Sequence, residues 1–437
     1  MIITQTPFRM SFFGGGTDME SFFRENGGAV LSTTFDKYCY VNVRHLPRFF
    51  DYSTELSYSK TERVTCIEDI QHPAIRNAMK MLDMQRIINY GSFLQAYGLK
   101  KMIESVSKSE VEFIDYRFGV DITNRLKKPQ SKAESIVDKI LKNRTPWNYL
   151  KKKNFFKEIE RNLILDLKDI GVDKLNYDCD VDTLVIGSDE VFNCLQPYPV
   201  GYSKQLFGDG YAHSKIVSYA ASFGSTRYED LVDTGIAHEI KTMLSRFAAI
   251  SVRDENSAHI VRQLLGYSPE IHMDPVLMYD FTQEIAEYTT YERDYIILYA
   301  YTGRLSREEE NYIKKFAKRH NKRIICVGHY SNIADKNIIC NPLYVFSYFK
   351  NADYVITDTF HGTVFSIKMN TKFCTLVRDS NRNKLEALLN KLDKLERKVE
   401  KLEDIERLYN TEVDFYKTNQ IIEQERKKTT LYLKENI

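Results

Sequence analysis

Asp353-Tyr354-Val355-Ile356-Thr357-Asp358-Thr359-Phe360-His361-Gly362-Thr363-Val364-Phe365-Ser366-Ile367 decides how the chain is read. Residues 353–357 are short, apolar and β-branched, as a strand buried in a parallel sheet must be. From Thr363 to Met369 apolar residues recur at helical spacing. Between them the strand ends in Asp358-Thr359-Phe360-His361-Gly362, a sharp turn into a helix start. Such a turn leaves backbone N–H groups free at the carboxyl edge of the sheet, where open α/β folds bind anions. His361 at that edge is the leading candidate site residue, with Asp358, Thr359 and Gly362 beside it. The alternative is that His361 bonds its own turn and Gly362 merely permits the bend.

Working outward, Tyr295–Tyr299, Arg323–Val327 and Lys372–Val377 read as further strands, with a helical pattern over Arg307–His320 between the first two. That is a Rossmann-like domain from about residue 286 to 437. His329, after a strand, reads as a surface-loop histidine. The spacing of Leu388, Leu392, Leu395, Val399 and Leu402 is a heptad, open to a coiled coil or to packing within the chain. Upstream, the strand-turn-acid pattern recurs in Thr183–Asn193, where Ser188 and Asp189 follow a buried strand as ligand groups or helix caps. Arg253-Asp254-Glu255-Asn256-Ser257 ends a strand on an arginine and opens a helix. The planar guanidinium there suits a carboxylate or phosphate, against the alternative of a salt bridge with Asp254 or Glu255. Asn89-Tyr90-Gly91, with apolar residues at helical spacing after it, reads as the first strand-to-helix turn of a domain spanning 85–285.

Ala352 to Ser366 resembles the signature near the carboxyl end of the polysaccharide pyruvyl transferases. The Asn-Tyr-Gly turn, the Gly-Ser-Asp turn and Arg-Asp-x-x-Ser are similar to that family's motifs and occur in its order. The resemblance covers roughly residues 85–437 and implies two Rossmann-like domains of glycosyltransferase-B-like arrangement. It also implies helices at the carboxyl end that cross back onto the first domain. The implied activity is transfer of a pyruvyl group from phosphoenolpyruvate to two hydroxyls of a sugar in a cell-surface polysaccharide or its precursor, giving a ketal. Arg253 and His361 match family positions associated with the donor. Asn89, Tyr90, Gly91, Ser188, Asp189, Asp254, Ser257, Asp358, Thr359 and Gly362 are the implied substrate-binding set, with no metal and no cofactor beyond the donor. Histidine suits the proton traffic, because it titrates near neutrality.

Residues 1–84 read as a separate, β-rich α+β segment, with strands near 1–6, 28–34, 38–44 and 55–59 and a helix from about Pro73 to Leu82. Pro7-Phe8-Arg9-Met10-Ser11-Phe12-Phe13-Gly14-Gly15-Gly16-Thr17-Asp18 resembles the first motif of the GHMP small-molecule kinases, nearest the heptose-phosphate kinases. Those kinases need a later Gly-rich loop for ATP phosphates, and no such run follows residue 84. The segment therefore reads as a truncated kinase-like piece. Because residues 78–84 look helical, the strand expected before Asn89-Tyr90-Gly91 is read as lost or replaced. Besides pyruvyl transfer, a sugar-kinase remnant and an inactive scaffold are the competing readings.

The 437 residues are 43% hydrophobic and 28% charged, enough for two or three domains with cores of their own. A net charge of +2 gives no global case for nucleic acid. No run approaches eighteen apolar residues and the first residues lack a signal-peptide pattern, so a cytoplasmic location is expected. A lipid-linked acceptor would bring peripheral contact with a membrane. The seven scattered cysteines fit neither a disulfide framework nor a zinc site. Oligomeric state is not legible.

Overall fold

The computed structural model describes residues 2–13, 31–43, 54–57, 61–64 and 79–437, except 108, 123–145, 173–174, 178–180, 197–199 and 379–380. It divides into two compact units, Met1–Gln71 and His72–Ile437. In the first unit β1 (Ile2–Phe13) pairs antiparallel with β2 (Leu31–Val43), and β3 (Thr54–Ser57) with β4 (Thr61–Val64). A single strand, β2, covers ground expected to hold two. The Gly14–Gly16 turn and residues 73–78 of the expected helix lie outside the described residues.

The second unit holds two parallel sheets. Its first half runs β5 (Met79–Leu82), α1 (Tyr90–Ser107), β6 (Glu112–Ile114), α2 (Pro146–Asp169), β7 (Thr183–Ile186) and β8 (Lys215–Ser218), with strand order β6-β5-β7-β8. After β8 come β9 (Ser251–Val252), α3 (Glu255–Leu265), β10 (Glu270–Ile271) and the short α4 (Pro275–Met278). The second half contains β11 (Tyr295–Tyr299), α5 (Arg307–Arg319), β12 (Arg323–Val327), β13 (Lys336–Ile338), β14 (Tyr354–Thr357), α6 (Phe360–Lys368), β15 (Phe373–Leu376), α7 (Arg382–Lys391), β16 (Lys398–Val399) and α8 (Tyr416–Asn436). Its six strands are ordered β13-β12-β11-β14-β15-β16, all parallel. Every residue of β11, β14 and β15 is buried, as near-continuous apolar runs covered on both faces require. The two-domain α/β expectation holds.

Two expectations are corrected, the missing first strand and the surface position of His329, and the heptad is resolved. The first strand is present: Met79–Leu82 is β5, paired with β6 on one side and β7 on the other. Its helical look comes from Lys80, which is buried at 2% exposure and ion-paired to Glu112 at 3.7 Å rather than solvated. The first sheet therefore begins before residue 85. Of the two readings of the heptad, packing within the chain is the one found: α7 stops at Lys391, Leu395 lies in a 3-10 turn and Val399 in β16, and Leu388 and Leu392 are buried in the core. His329 is buried against the Tyr299 ring at 4.5 Å, so it is no surface residue.

Helix α8 returns to the first half, where Tyr432 donates to the Ser218 carbonyl (2.8 Å) and Thr429 hydrogen-bonds Tyr219 (3.1 Å). Among the described residues no helix is long and apolar enough to cross a membrane.

Candidate functional site

Five strand ends converge on one cleft between the halves. The turn before α1 supplies Asn89, whose Oδ1 accepts from Gly91 N (2.7 Å). From the first turn of α1, Tyr90 reaches across to the second half, donating to the Cys340 carbonyl (2.6 Å) and accepting from Cys340 N (3.0 Å). After β7 the chain turns at Asp189 with φ 61°, a left-handed conformation that Asp tolerates better than most residues. No helix follows, so the capping role considered for Ser188 and Asp189 does not arise. The turn instead aims the Asp189 carboxylate at Ser92 Oγ (3.1 Å) and Arg253 Nη1 (3.2 Å).

Arg253 follows β9 and is buried, its Nη1 shared between Asp189 Oδ1 and Asp274 Oδ2, each at 3.2 Å. Its partners are thus neither Asp254 nor Glu255. Asp274 caps α4 through Val276 N (3.0 Å) and turns its other oxygen to His361 Nε2 at 3.6 Å. His361 comes from the first turn of α6, where Thr359 Oγ1 caps Gly362 N (2.9 Å). The Phe360 ring lies 4.7 Å from the Arg253 guanidinium.

Burial pushes the Asp189 carboxyl up, but Arg253, His361 and Lys384 overcome it and hold it below the usual range. Asp274 is likewise pushed up by burial and brought below that range by His361 and Arg253. Burial works against the Arg253 charge, and Asp189 and Asp274 more than restore it. The guanidinium is therefore fixed as a cation. Its Nε and Nη2, and His361 Nε2, are buried with no hydrogen-bond partner among the described residues. A buried arginine with two unpaired nitrogen donors carries a desolvation cost that a bound anion would remove.

The cleft itself is a 220 Å³ cavity whose wall includes Asn89, Asp189, Glu190, Tyr301, Phe360 and His361. Of the expected residues, Asn89, Asp189 and His361 face it and Arg253 lies behind. Others serve the backbone. Asp254 and Ser257 cap α3 and tie the turn after β8, through Ser257 N and Phe223 N respectively. Ser188 is fully buried on Gln95. Gly362 has no room for a side chain, a Cβ there falling 2.2 Å from Thr357 Oγ1. Asp358 faces away, near Arg378 (3.6 Å) and Arg304 (3.8 Å), and burial pushes its carboxyl up to about 6 despite them.

The family model that matches is polysaccharide pyruvyl transferase, over residues 89–380. The chain belongs to that family. The match starts at Asn89, so the opening segment of residues 1–84 lies outside it. No curated protein matches the chain by sequence. Solved structures similar to it include an O-GlcNAc transferase mutant from Thermobaculum terrenum, at 10% identity and TM-score 0.37, covering 82% of this chain and 64% of that one. A UDP-GlcNAc 2-epimerase from Methanocaldococcus jannaschii shows 10% identity and TM-score 0.38, covering 79% and 98%. Another from Neisseria meningitidis shows 9% and 0.39, covering 82% and 93%.

In this pyruvyl transferase family member, reading the sequence missed Asp274, Ser92, Glu190, Tyr301, Phe360 and Lys384. Asp274-Pro275 carried a usable signal, an acid with proline at the next helical position just after a strand. Glu190 and Lys384, 194 residues apart, carried none.

Proposed function

We propose that the chain transfers the pyruvyl group of phosphoenolpyruvate to two hydroxyls of one sugar in a cell-surface polysaccharide or its precursor. The observation that carries this reading is Arg253, a buried and fixed cation with Nε and Nη2 unpaired beside His361. That side-on pair of donors matches a planar carboxylate in two parallel hydrogen bonds. In the transfer, the methylene carbon of the donor takes up a proton and the adjacent carbon becomes cation-like. One sugar hydroxyl bonds to that carbon, the carbon–oxygen bond to phosphate breaks, and the second hydroxyl closes the ketal. Of the two hydroxyl protons released, one balances the new methyl group and the other leaves with phosphate. His361, held between Asp274 and the cleft, is the group that holds and moves the proton, and Asp274 orients its ring and offsets its charge.

The test incubates the full chain with phosphoenolpyruvate and a panel of free and undecaprenyl-linked glycosides. Release of inorganic phosphate together with a pyruvylated acceptor is expected. Arg253→Ala and His361→Ala should each lower turnover by about a hundredfold or more. Consumption of ATP with magnesium, and none of phosphoenolpyruvate, would instead mark a sugar kinase.

A further inference from the structure

We propose that Lys384 binds the phosphate end of the donor, and that its ion pair with Glu190 is the contact this phosphate displaces on entering the cleft. The inference rests on the donor reading above. Lys384 sits on α7 of the second half, and its Nζ lies 2.6 Å from Glu190 Oε1 on the turn after β7 in the first. Both residues wall the 220 Å³ cavity, so the pair closes the cleft across its two sides.

The two partners are held unequally. Glu190 is also anchored by Asn193 Nδ2 on its other oxygen, at 2.7 Å. Lys384 has the glutamate and, 6.0 Å away, the face of the Phe360 ring, while the two side chains are equally exposed, at 26% and 27%. The ammonium can therefore change partner while the carboxylate stays in place. The wall of this cavity carries the carboxylates of Asp189 and Glu190 and the Lys384 ammonium, with Arg253 and Asp274 behind Asp189. Arg253 is already shared by two of those carboxylates, which leaves Lys384 as the cation whose counter-ion an incoming dianion can outcompete.

The division of labour follows from shape. A guanidinium fork fits a planar carboxylate, whereas an ammonium is a compact point charge that serves a phosphate from any direction. The open quarter of the Lys384 side chain also puts the leaving phosphate at the mouth. Finally, 220 Å³ is below the roughly 300–1,000 Å³ of typical ligand pockets, so admitting a sugar beside the donor calls for the Glu190–Lys384 bridge to part.

The experiment measures binding of orthophosphate and of phosphoenolpyruvate by calorimetry to the full chain and to Lys384→Met, Lys384→Arg and Glu190→Gln, with thermal melts confirming that each is folded. Lys384→Met should weaken both ligands by about tenfold or more, and Lys384→Arg should restore most of that loss. Glu190→Gln should tighten both, because it removes the competitor for Lys384. A bridge that only holds the halves together would make Lys384→Met and Glu190→Gln change affinity in the same direction, and that result, or no change in either, overturns the proposal. Binding of orthophosphate with the expected signs but no binding of phosphoenolpyruvate keeps Lys384 as a phosphate site and removes the donor reading. Phosphoenolpyruvate turnover with same-sign variants keeps the donor reading and removes Lys384. Binding of neither ligand to the unaltered chain removes both.

Discussion

Gly91 stands so close to the imidazole of His361 that a Cβ at position 91 would fall 2.2 Å from both its Cγ and its Nδ1. The first turn of α1, in one half, is thus the wall against which the histidine of the other half is set. Gly91→Ala should favour the helix by up to about 1 kcal/mol in propensity while pushing the ring off Asp274. A folded variant with turnover down by about tenfold or more is expected, since small displacements of positioned groups are costly. Turnover equal to the unaltered chain would show that His361 need not be held there.

Much of this was legible in the sequence because the strands of a doubly covered sheet are short apolar runs that stop at a turn on the cleft side. Asp353–Thr357, Thr183–Ile186 and Ala249–Val252 all announce themselves that way. Lys80 hid β5, because a buried, paired lysine looks in one dimension like a solvated one. Asp274 and Lys384 were missed for a different reason. Their meaning lies in partners far along the chain, Arg253 and His361 for one and Glu190 for the other. Conversely, Asp254, Ser257 and Thr359 stood out in the sequence because they sit beside site residues, yet their oxygens accept from the backbone that holds those residues in place.

Asp274→Asn keeps the size of the side chain and removes the charge shared by Arg253 and His361. Breaking a buried pair by neutralising one partner costs about 3–5 kcal/mol, here reduced because Asp189 still holds Arg253. A lower melting midpoint and a turnover loss of about a hundredfold are expected together. If the variant melts lower but turns over normally, Asp274 serves only the fold.

Asp358 makes a distinctive contribution to the pH dependence of stability. Burial raises its folded value to about 6, above the ordinary 3.8, so between those values the folded chain binds a proton the unfolded chain does not. This group therefore makes the fold more stable as pH falls from 6 toward 4, by at most about 3 kcal/mol. Asp189 and Asp274 work in the opposite sense, their depressed values giving stability that is present above the ordinary 3.8 and lost only below it. Urea midpoints for the unaltered chain minus those for Asp358→Asn should rise as pH drops through that window. A difference that is flat with pH would mean Asp358 stays ionised in the fold.

The strand Met79–Leu82 sets where the transferase begins. β5 lies between β6 and β7, with Leu82 opposite Ile114 on one side and Ile186 on the other, and Met81 and Leu82 are fully buried. Burying each such side chain contributes about 1.5–3 kcal/mol, and each ladder hydrogen bond about 0.5–1.5 kcal/mol net. Removing the strand also parts β6 from β7 and leaves two sheet edges unpaired. Against a typical net stability of about 5–15 kcal/mol, that loss is decisive. A chain of residues 72–437 should therefore be soluble and melt in one cooperative transition, whereas residues 85–437, cut six residues after the start of β5, should be insoluble or melt without cooperativity. Far-ultraviolet circular dichroism on both decides it. Equal cooperative melting of the two would mean that β5 is dispensable and that the first domain starts at the Asn89-Tyr90-Gly91 turn after all.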